Sequence, residues 1–462
     1  MILRPGRPEE AGMVGARIRH VADLAQSWVT DGLTPALVVL VARRGIVVLH
    51  EAYGRLTPRL DAPPLQRDAI YPISSMSKPI TATAVMLLVE DGLLGLNRPV
   101  CEYIPEFVGA SKEAVLVHHL LTHTSGLRDG EIDTHAQQKQ SSVMLPPAAE
   151  TQHEEIHKWL FLGYDAPLWK PPGVEMSYCS YNYELLGEIV RRVSGRALAD
   201  FAQTRIFAPL GMRDTYYSVP DSVRGRIVKR PADAPWAGPL GAGLVDALPL
   251  VKARMVGLDS KEWEERPFAA YGAFSTAWDM ATFGQMFLNQ GRYAEKRILS
   301  PATVNVMTTN QIPGIGAIFS NEFFPEAGWS YGWEIRGNKK PMYYGSLQSP
   351  RTFSHGGGGG TYLWVDPVCE LVGVYFSAVI RNSADGYLPV WAADLFMNAV
   401  TATIDDESED QNPARQYGFR PLTLTALKFA SEPRTSVRVP YADANGSEVC
   451  IRAPHISKGP VR

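Results

Sequence analysis

Ser75 stands three residues before Lys78 in the segment Tyr71-Pro-Ile-Ser-Ser-Met-Ser-Lys-Pro-Ile-Thr-Ala-Thr-Ala84. On a helix, residues at i and i+3 share a face, so this spacing sets the Lys78 amine beside the Ser75 hydroxyl. A proton-poor lysine there can take the serine proton, and a helix N-terminus favours the negative charge that develops. The pattern is short and common, and its weight rests on its companions.

Three further segments carry chemistry. Leu120-Leu-Thr-His-Thr-Ser-Gly-Leu127 reads as a helix end running into a tight turn at Gly126. Tyr178-Cys179-Ser180 puts a phenol and a hydroxyl at a loop-to-helix junction. Ser354-His355-Gly356-Gly357-Gly358-Gly359-Gly360-Thr361 places five glycines at a strand start. Such a run lets a ligand approach backbone N–H groups closely.

The elements that must position these groups are legible as periodicities. A helical pattern over about 11–30 carries Ile18, Val21, Leu24 and Trp28. Leu37–Ala42 and Ile46–His50 read as a β-hairpin around Arg43-Arg44-Gly45. A helix begins near Ser75, with Ser74 or Ser75 as N-cap, and ends at Asp91-Gly92 with Gly92 as C-cap. Helical text continues to about residue 250, including Tyr183–Ser194, and Trp278–Asn289 forms another helix. Strands return at Trp333–Arg336, Arg351–Ser354, Tyr362–Val365 and Glu370–Val379, and a helix at Val390–Ile404 closes the pattern. The expectation is an α/β domain from 1–74 and 251–404, with a mainly helical domain over 75–250. The acidic run Asp405–Asn412 marks a linker, and 405–462 is an extension of unknown structure.

With 462 residues and 45% hydrophobic content, the chain can bury a large core. A net charge of −3 offers no electrostatic case for nucleic acid. Apolar runs such as Ala36–Ala42 and Leu371–Ile380 are strand-sized and too short to span a bilayer. The N-terminus lacks the apolar stretch of a signal peptide, so the expected location is the cytoplasm, with no membrane partner. Cys101, Cys179, Cys369 and Cys450 have no paired spacing, so neither a disulfide framework nor a thiolate metal site is expected.

In order and spacing, these motifs resemble the serine β-lactamase/penicillin-binding-protein superfamily, most closely its class C-like branch. That branch includes family VIII carboxylesterases, D-aminopeptidases and transesterases of secondary metabolism. The resemblance runs from about Pro8 to Val400. Besides the segments above, it takes in Tyr53-Gly54, Phe274-Ser275-Thr276-Ala277 and Trp364-x-Asp366-Pro367. It implies an α+β fold: an antiparallel sheet flanked by helices, with an inserted mainly helical domain. It implies Ser75 as the acylated nucleophile, Lys78 as its activator and Tyr178 as a second proton shuttle. The backbone amides of Ser75 and Gly358 would form the oxyanion hole, and Ser180, His355, Gly356 and Gly357 would contact substrate. No cofactor and no metal is called for.

Two positions depart from the β-lactamase pattern. Ser180 stands where Tyr-x-Asn usually has its amide, and His355 replaces the lysine of Lys-Thr-Gly, a fixed cation for a substrate carboxylate. A histidine is largely neutral at pH 7. Both changes favour small uncharged esters, so the expected activity is that of a serine carboxylesterase. Acyl transfer to an alcohol or amine, and β-lactamase or D-aminopeptidase action, are the alternatives within the mechanism, and a non-catalytic binding protein is the alternative outside it. Oligomeric state is not readable.

Two rival motifs are weaker. Gly328-Trp329-Ser330-Tyr331-Gly332 fits a nucleophile elbow, but no helix follows Ser330. His153-Glu154-Glu155-Ile156-His157 fits a zinc-peptidase helix, with Glu175 or Glu184 as third ligand, yet a solvated helix with Ile156, Trp159 and Leu160 inward explains it more simply. Tyr271, Trp329, Trp333, Tyr343 and Tyr344 are candidates for an acyl pocket, and His123 for support of the Gly126 turn.

Overall fold

The computed structural model describes residues 1–57, 59, 61–230, 260–319, 322–339, 345–378, 381–383, 386–388 and 392–406. The chain divides after Pro413 into two units, and all the described residues lie in the first.

The two β-branched runs form the centre. β2 (Ala36–Arg43) and β3 (Ile46–Gly54) make the expected hairpin, turning at Arg44 and Gly45, both at positive φ. β2 is buried along its whole length because it has a core on each face. Ala36, Val38, Leu40 and Ala42 enter one cluster, and Leu37, Val39 and Val41 the other. This two-sided burial is why the segment reads as a continuous apolar run rather than an alternation.

β1 (Arg4–Pro5), β4 (Glu334–Ile335), β5 (Phe353–Gly357), β6 (Thr361–Asp366) and β7 (Leu371–Ser377) complete a seven-stranded sheet of order β1-β3-β2-β7-β6-β5-β4. Every pairing is antiparallel except β1 with β3, so the expected antiparallel sheet is a mixed one. The parallel pair arises because the chain enters alongside β3 before crossing to α1 (Gly15–Thr30).

Between β3 and β4 the chain runs through α2 (Ser77–Glu90), α3 (Asp129–Gln140), α4 (Glu154–Gly163), α5 (Ser180–Ser194) and α6 (Ala277–Leu288). After the sheet comes α7 (Ala393–Thr401). One face of the sheet packs on α1 and α7 through Ile18, Val21, Trp28, Phe396 and Met397. The other takes Met280, Phe283 and Phe287 of α6. Each such side chain contributes roughly 1.5–3 kcal/mol on burial. Against α5 lies α2, buried from Ser77 to Leu88. A helix buried on all sides is a core helix, and α2 therefore has no wet face on which to solvate Lys78.

Neither Ser74 nor Ser75 caps α2 as expected. Met76 is the N-cap, and Ser74–Met76 form a separate 3-10 turn. Ser74 sits at φ 49° with its hydroxyl donated to the Gly358 carbonyl, so it is committed across the cleft rather than to its own helix. At the far end Asp91 is the C-cap, with Gly92 following in the left-handed region.

The acidic run expected as a linker is anchored at its start. The buried Arg43 guanidinium holds Asp406 through two bonds of 2.9 and 2.7 Å, and also reaches the Ala11, Gly12 and Cys369 carbonyls. The part of the extension beyond Asp406 lies outside the described residues.

Gly357 decides how closely the sheet approaches the Ser75 turn. A Cβ there would lie 2.2 Å from Thr361 Oγ1 and 2.3 Å from the Ile73 carbonyl oxygen. Gly357→Ala is therefore expected to destabilise the protein by about 2–4 kcal/mol through overpacking and to pull β5 off the turn. Urea unfolding of the variant beside wild type measures this, and an unchanged midpoint would refute the close approach.

Candidate active site

Lys78 projects from the first turn of α2 with no exposed surface. Its Nζ donates to Ser75 Oγ at 3.2 Å and to the Ala270 carbonyl at 3.1 Å. It also stands over the Tyr178 ring, 4.7 Å from the centroid, with Tyr183 at 5.7 Å. Burial draws the Lys78 pKa down to about 7, against the opposing pull of Asp129 and Glu184. Near neutrality the amine is thus divided between proton-bearing and proton-free forms, the condition a general base needs.

The Ser75 turn is held from both sides. Ser77 Oγ donates to the Ser74 carbonyl at 2.7 Å and accepts the Ala273 N–H at 3.0 Å. Thr361 Oγ1 donates to the Ile73 carbonyl at 3.2 Å. With the Ser74–Gly358 bond, these contacts bring Ser75 and Gly358 onto adjacent segments. Among the described residues, a Cβ at Gly358 would meet nothing within 4 Å.

Tyr178 is positioned by two groups that the spacing of the motifs does not connect. Asp129, at the start of α3, accepts the N–H of Ser180 at 2.8 Å and of Tyr181 at 3.0 Å. A carboxylate on these free N–H groups caps α5 from outside. Ser180 is accordingly the first residue of α5, not its cap, and Cys179 is the N-cap. His123, buried at φ 58°, accepts the Cys179 N–H on Nδ1 at 3.1 Å and stacks on Tyr178 with centroids 4.4 Å apart. With Nδ1 an acceptor, the proton of the neutral ring is on Nε2. Burial, then the Lys78 charge, keep His123 well below the usual histidine range.

His355 lies on β5 and is buried, its ring 6.3 Å from Tyr178 and 5.7 Å from Trp329. Its Nδ1 is 2.8 Å from the Gly356 carbonyl, which can only accept, so Nδ1 carries the proton and Nε2 is bare. Burial and the Lys78 charge push its pKa down to about 3. The residue that replaces the family's lysine is thus a neutral ring tucked against the aromatic cluster. Gly356 and Gly357 continue β5 beside it.

The rival motifs have structural uses. Ser330 is buried, with Oγ donating to the Val306 and Met307 carbonyls at 3.0 and 2.7 Å. Gly332 is required because a Cβ there would lie 2.6 Å from Ala82 on α2. His153 caps α4, accepting the Glu155 N–H, while His157 Nε2 donates to the Pro146 carbonyl at 2.8 Å. Glu175 pairs with Lys170, and Glu184 binds backbone amides. Among the described residues no cluster of His, Cys, Asp or Glu could hold a metal ion.

Of the aromatic candidates, Trp329 borders Tyr178 and His355, whereas Trp333 packs in the core with Phe283, Phe287 and Phe353. Tyr271 stacks on Phe268 and Trp263. Tyr343 and Tyr344 lie outside the described residues. Among the described residues no helix is long and apolar enough to cross a membrane.

Comparison with known proteins gives the family of the chain. The beta-lactamase family model matches residues 21–385. The chain belongs to the beta-lactamase family. Its relatives within this serine hydrolase superfamily include Esterase EstB of Burkholderia gladioli, 32% identical over 44% of this chain and 52% of that one. Penicillin-binding protein 4 of Amycolatopsis lactamdurans is 28% identical over 62% of this chain and 68% of its own. A solved family VIII carboxylesterase superposes with a TM-score of 0.66 at 20% identity, covering 85% of this chain and 99% of its own. That likeness establishes the beta-lactamase fold.

Ser330→Ala removes a hydroxyl that donates to two carbonyls and is expected to cost roughly 1–3 kcal/mol of stability while leaving ester turnover within about twofold of wild type. Thermal unfolding and initial rates on p-nitrophenyl butyrate check this, and a loss of turnover at full stability would return Ser330 to consideration as nucleophile.

Proposed function

We propose that this beta-lactamase family member is a serine carboxylesterase that cleaves small neutral esters through an acyl-enzyme on Ser75. The observation that carries the reading is the 3.2 Å contact between Lys78 Nζ and Ser75 Oγ in a site where burial holds the amine near pKa 7. Ser75 Oγ attacks the ester carbonyl and passes its proton to Lys78. The Ser75 and Gly358 amides receive the oxyanion, each such donor being worth about 3 kcal/mol in the transition state. Tyr178, stacked beside Lys78, relays the proton to the leaving alcohol. Water then enters along the same path and releases the acid.

Preference for an ester rests on the polarity of the cleft. His355 is neutral across the working pH range, so it gives no fixed positive charge to a β-lactam or peptide carboxylate. Ser180 has a hydroxyl too short for the contacts an asparagine amide makes. The resemblance to EstB points the same way. No step needs a cofactor, and the partner is a small-molecule ester.

Intact-mass spectrometry after mixing with p-nitrophenyl butyrate is expected to find a butyryl adduct in wild type and none in Ser75→Ala. Turnover should fall by at least about a thousandfold in that variant. Undiminished turnover in Ser75→Ala would sink the mechanism, and faster turnover of nitrocefin than of the ester would move the assignment to a β-lactamase. The pH dependence has a definite sign. Lys78 must be proton-free to act as base and its pKa lies at about 7, so kcat/KM should rise with pH through an inflection near 7. A profile flat from pH 5 to 9 would exclude Lys78 as that base.

A further inference from the structure

We infer that Glu184 is a positioning residue for the reaction, fixing the Ala269-Ala270 segment that in turn aims the Lys78 amine at Ser75. The inference rests on the serine acyl-enzyme reading above. Glu184 lies on α5 and is buried. Its two oxygens accept the Ala269 N–H at 3.2 Å and the Ala270 N–H at 2.9 Å. The same two residues turn their carbonyls toward α2. Ala269 O accepts the Thr81 hydroxyl at 2.7 Å, and Ala270 O accepts Lys78 Nζ at 3.1 Å. The segment is thus clamped on its N–H side by α5 and on its carbonyl side by α2. The lysine amine is held between Ala270 O and Ser75 Oγ.

A carboxylate suits this position better than any neutral isostere. Two convergent N–H donors need two acceptor oxygens, and an amide has only one, its –NH2 facing a donor instead. A group that moves Ala270 moves the lysine with it, and misplacement by about 1 Å can cost a hundredfold in rate. Glu184 also acts through charge. The titratable groups around Lys78 are Asp129, Glu184 and Cys179, which favour its charged form, and His123 and His355, whose protonation it opposes. Tyr178 and Tyr183 complete the enclosure through their rings. Loss of the Glu184 charge leaves Asp129 as the main remaining counter-charge.

The test uses the full chain as wild type, Glu184→Gln and Glu184→Asp, with two readouts. The first is kcat and KM for p-nitrophenyl butyrate across pH. The second is titration of the Lys78 side chain by NMR of ε-carbon-labelled lysine, assigned from the resonance missing in Lys78→Met. Glu184→Gln is expected to lower kcat by about ten- to a hundredfold with KM within threefold. Its Lys78 midpoint, and the acid limb of kcat with it, should move down by about one pH unit. Glu184→Asp, which keeps the charge but not the reach, should hold the midpoint near wild type and lose kcat. A Glu184→Gln protein with wild-type kcat would overturn the proposal. So would a loss of kcat matched by lower thermal stability and fewer fluorophosphonate-reactive sites, with an unmoved lysine titration. Failure of the Ser75 reading would look different. Turnover would survive in Ser75→Ala, while the NMR titration would still report whether Glu184 governs Lys78.

Discussion

An ammonium group kept out of water is the constraint around which this site is arranged. Desolvation disfavours the charged form of a buried lysine, and Lys78 bears that cost because α2 is buried on every side from Ser77 to Leu88. The amine is not abandoned, however. Ser75 Oγ, the Ala270 carbonyl and the Tyr178 ring each take part of its polarity, and Asp129 and Glu184 oppose the loss of its proton. The balance leaves a base poised near neutrality next to a serine that is itself half-buried. Without the dry helix the amine would stay protonated. Without the carboxylates its proton would be lost at a still lower pH.

The same logic extends to the elements that have no direct part in proton transfer. Tyr178 stands just before α5 and Glu184 one turn inside it, so a single helix places both side chains. Asp129 anchors the start of that helix, and His123 holds the preceding residue. On the opposite wall, β5 can lie against the Ser75 turn only because Gly357 has no side chain. The sheet strand and the Ser75 turn are therefore held together through close backbone contact, and Ser74 adds a hydroxyl bond across the gap.

His355 shows how one residue sets the electrostatics around Lys78. Its ring donates to its own strand at the Gly356 carbonyl and packs with Tyr178 and Trp329. Its protonation is opposed both by burial and by Lys78. A second fixed cation at this place would lower the Lys78 pKa further by like-charge repulsion. A neutral ring avoids that competition.

Much of this was readable from the amino-acid order. Strand and helix periodicities located the hairpin, β5 to β7 and α5 to within a few residues, because packing against a two-sided core imposes regular apolar spacing. The Ser75/Lys78 pair, Tyr178 and the glycine run were recognisable because each is local, with partners three residues apart or contiguous. The cap assignment at Ser74 differed from the structure because Ser74 is bonded to residue 358, and the Asp406–Arg43 pair at the start of the acidic run is likewise a contact that no local pattern contains. Asp129 and the Ala269-Ala270 segment escaped notice for the same reason, and Glu184 was visible only as a possible metal ligand. By itself, then, the sequence determined the fold family and named the candidate groups of the site. Only the tertiary structure decided their protonation and aim, because burial, long-range backbone hydrogen bonds and the sum of nearby charges arise when distant segments are packed together.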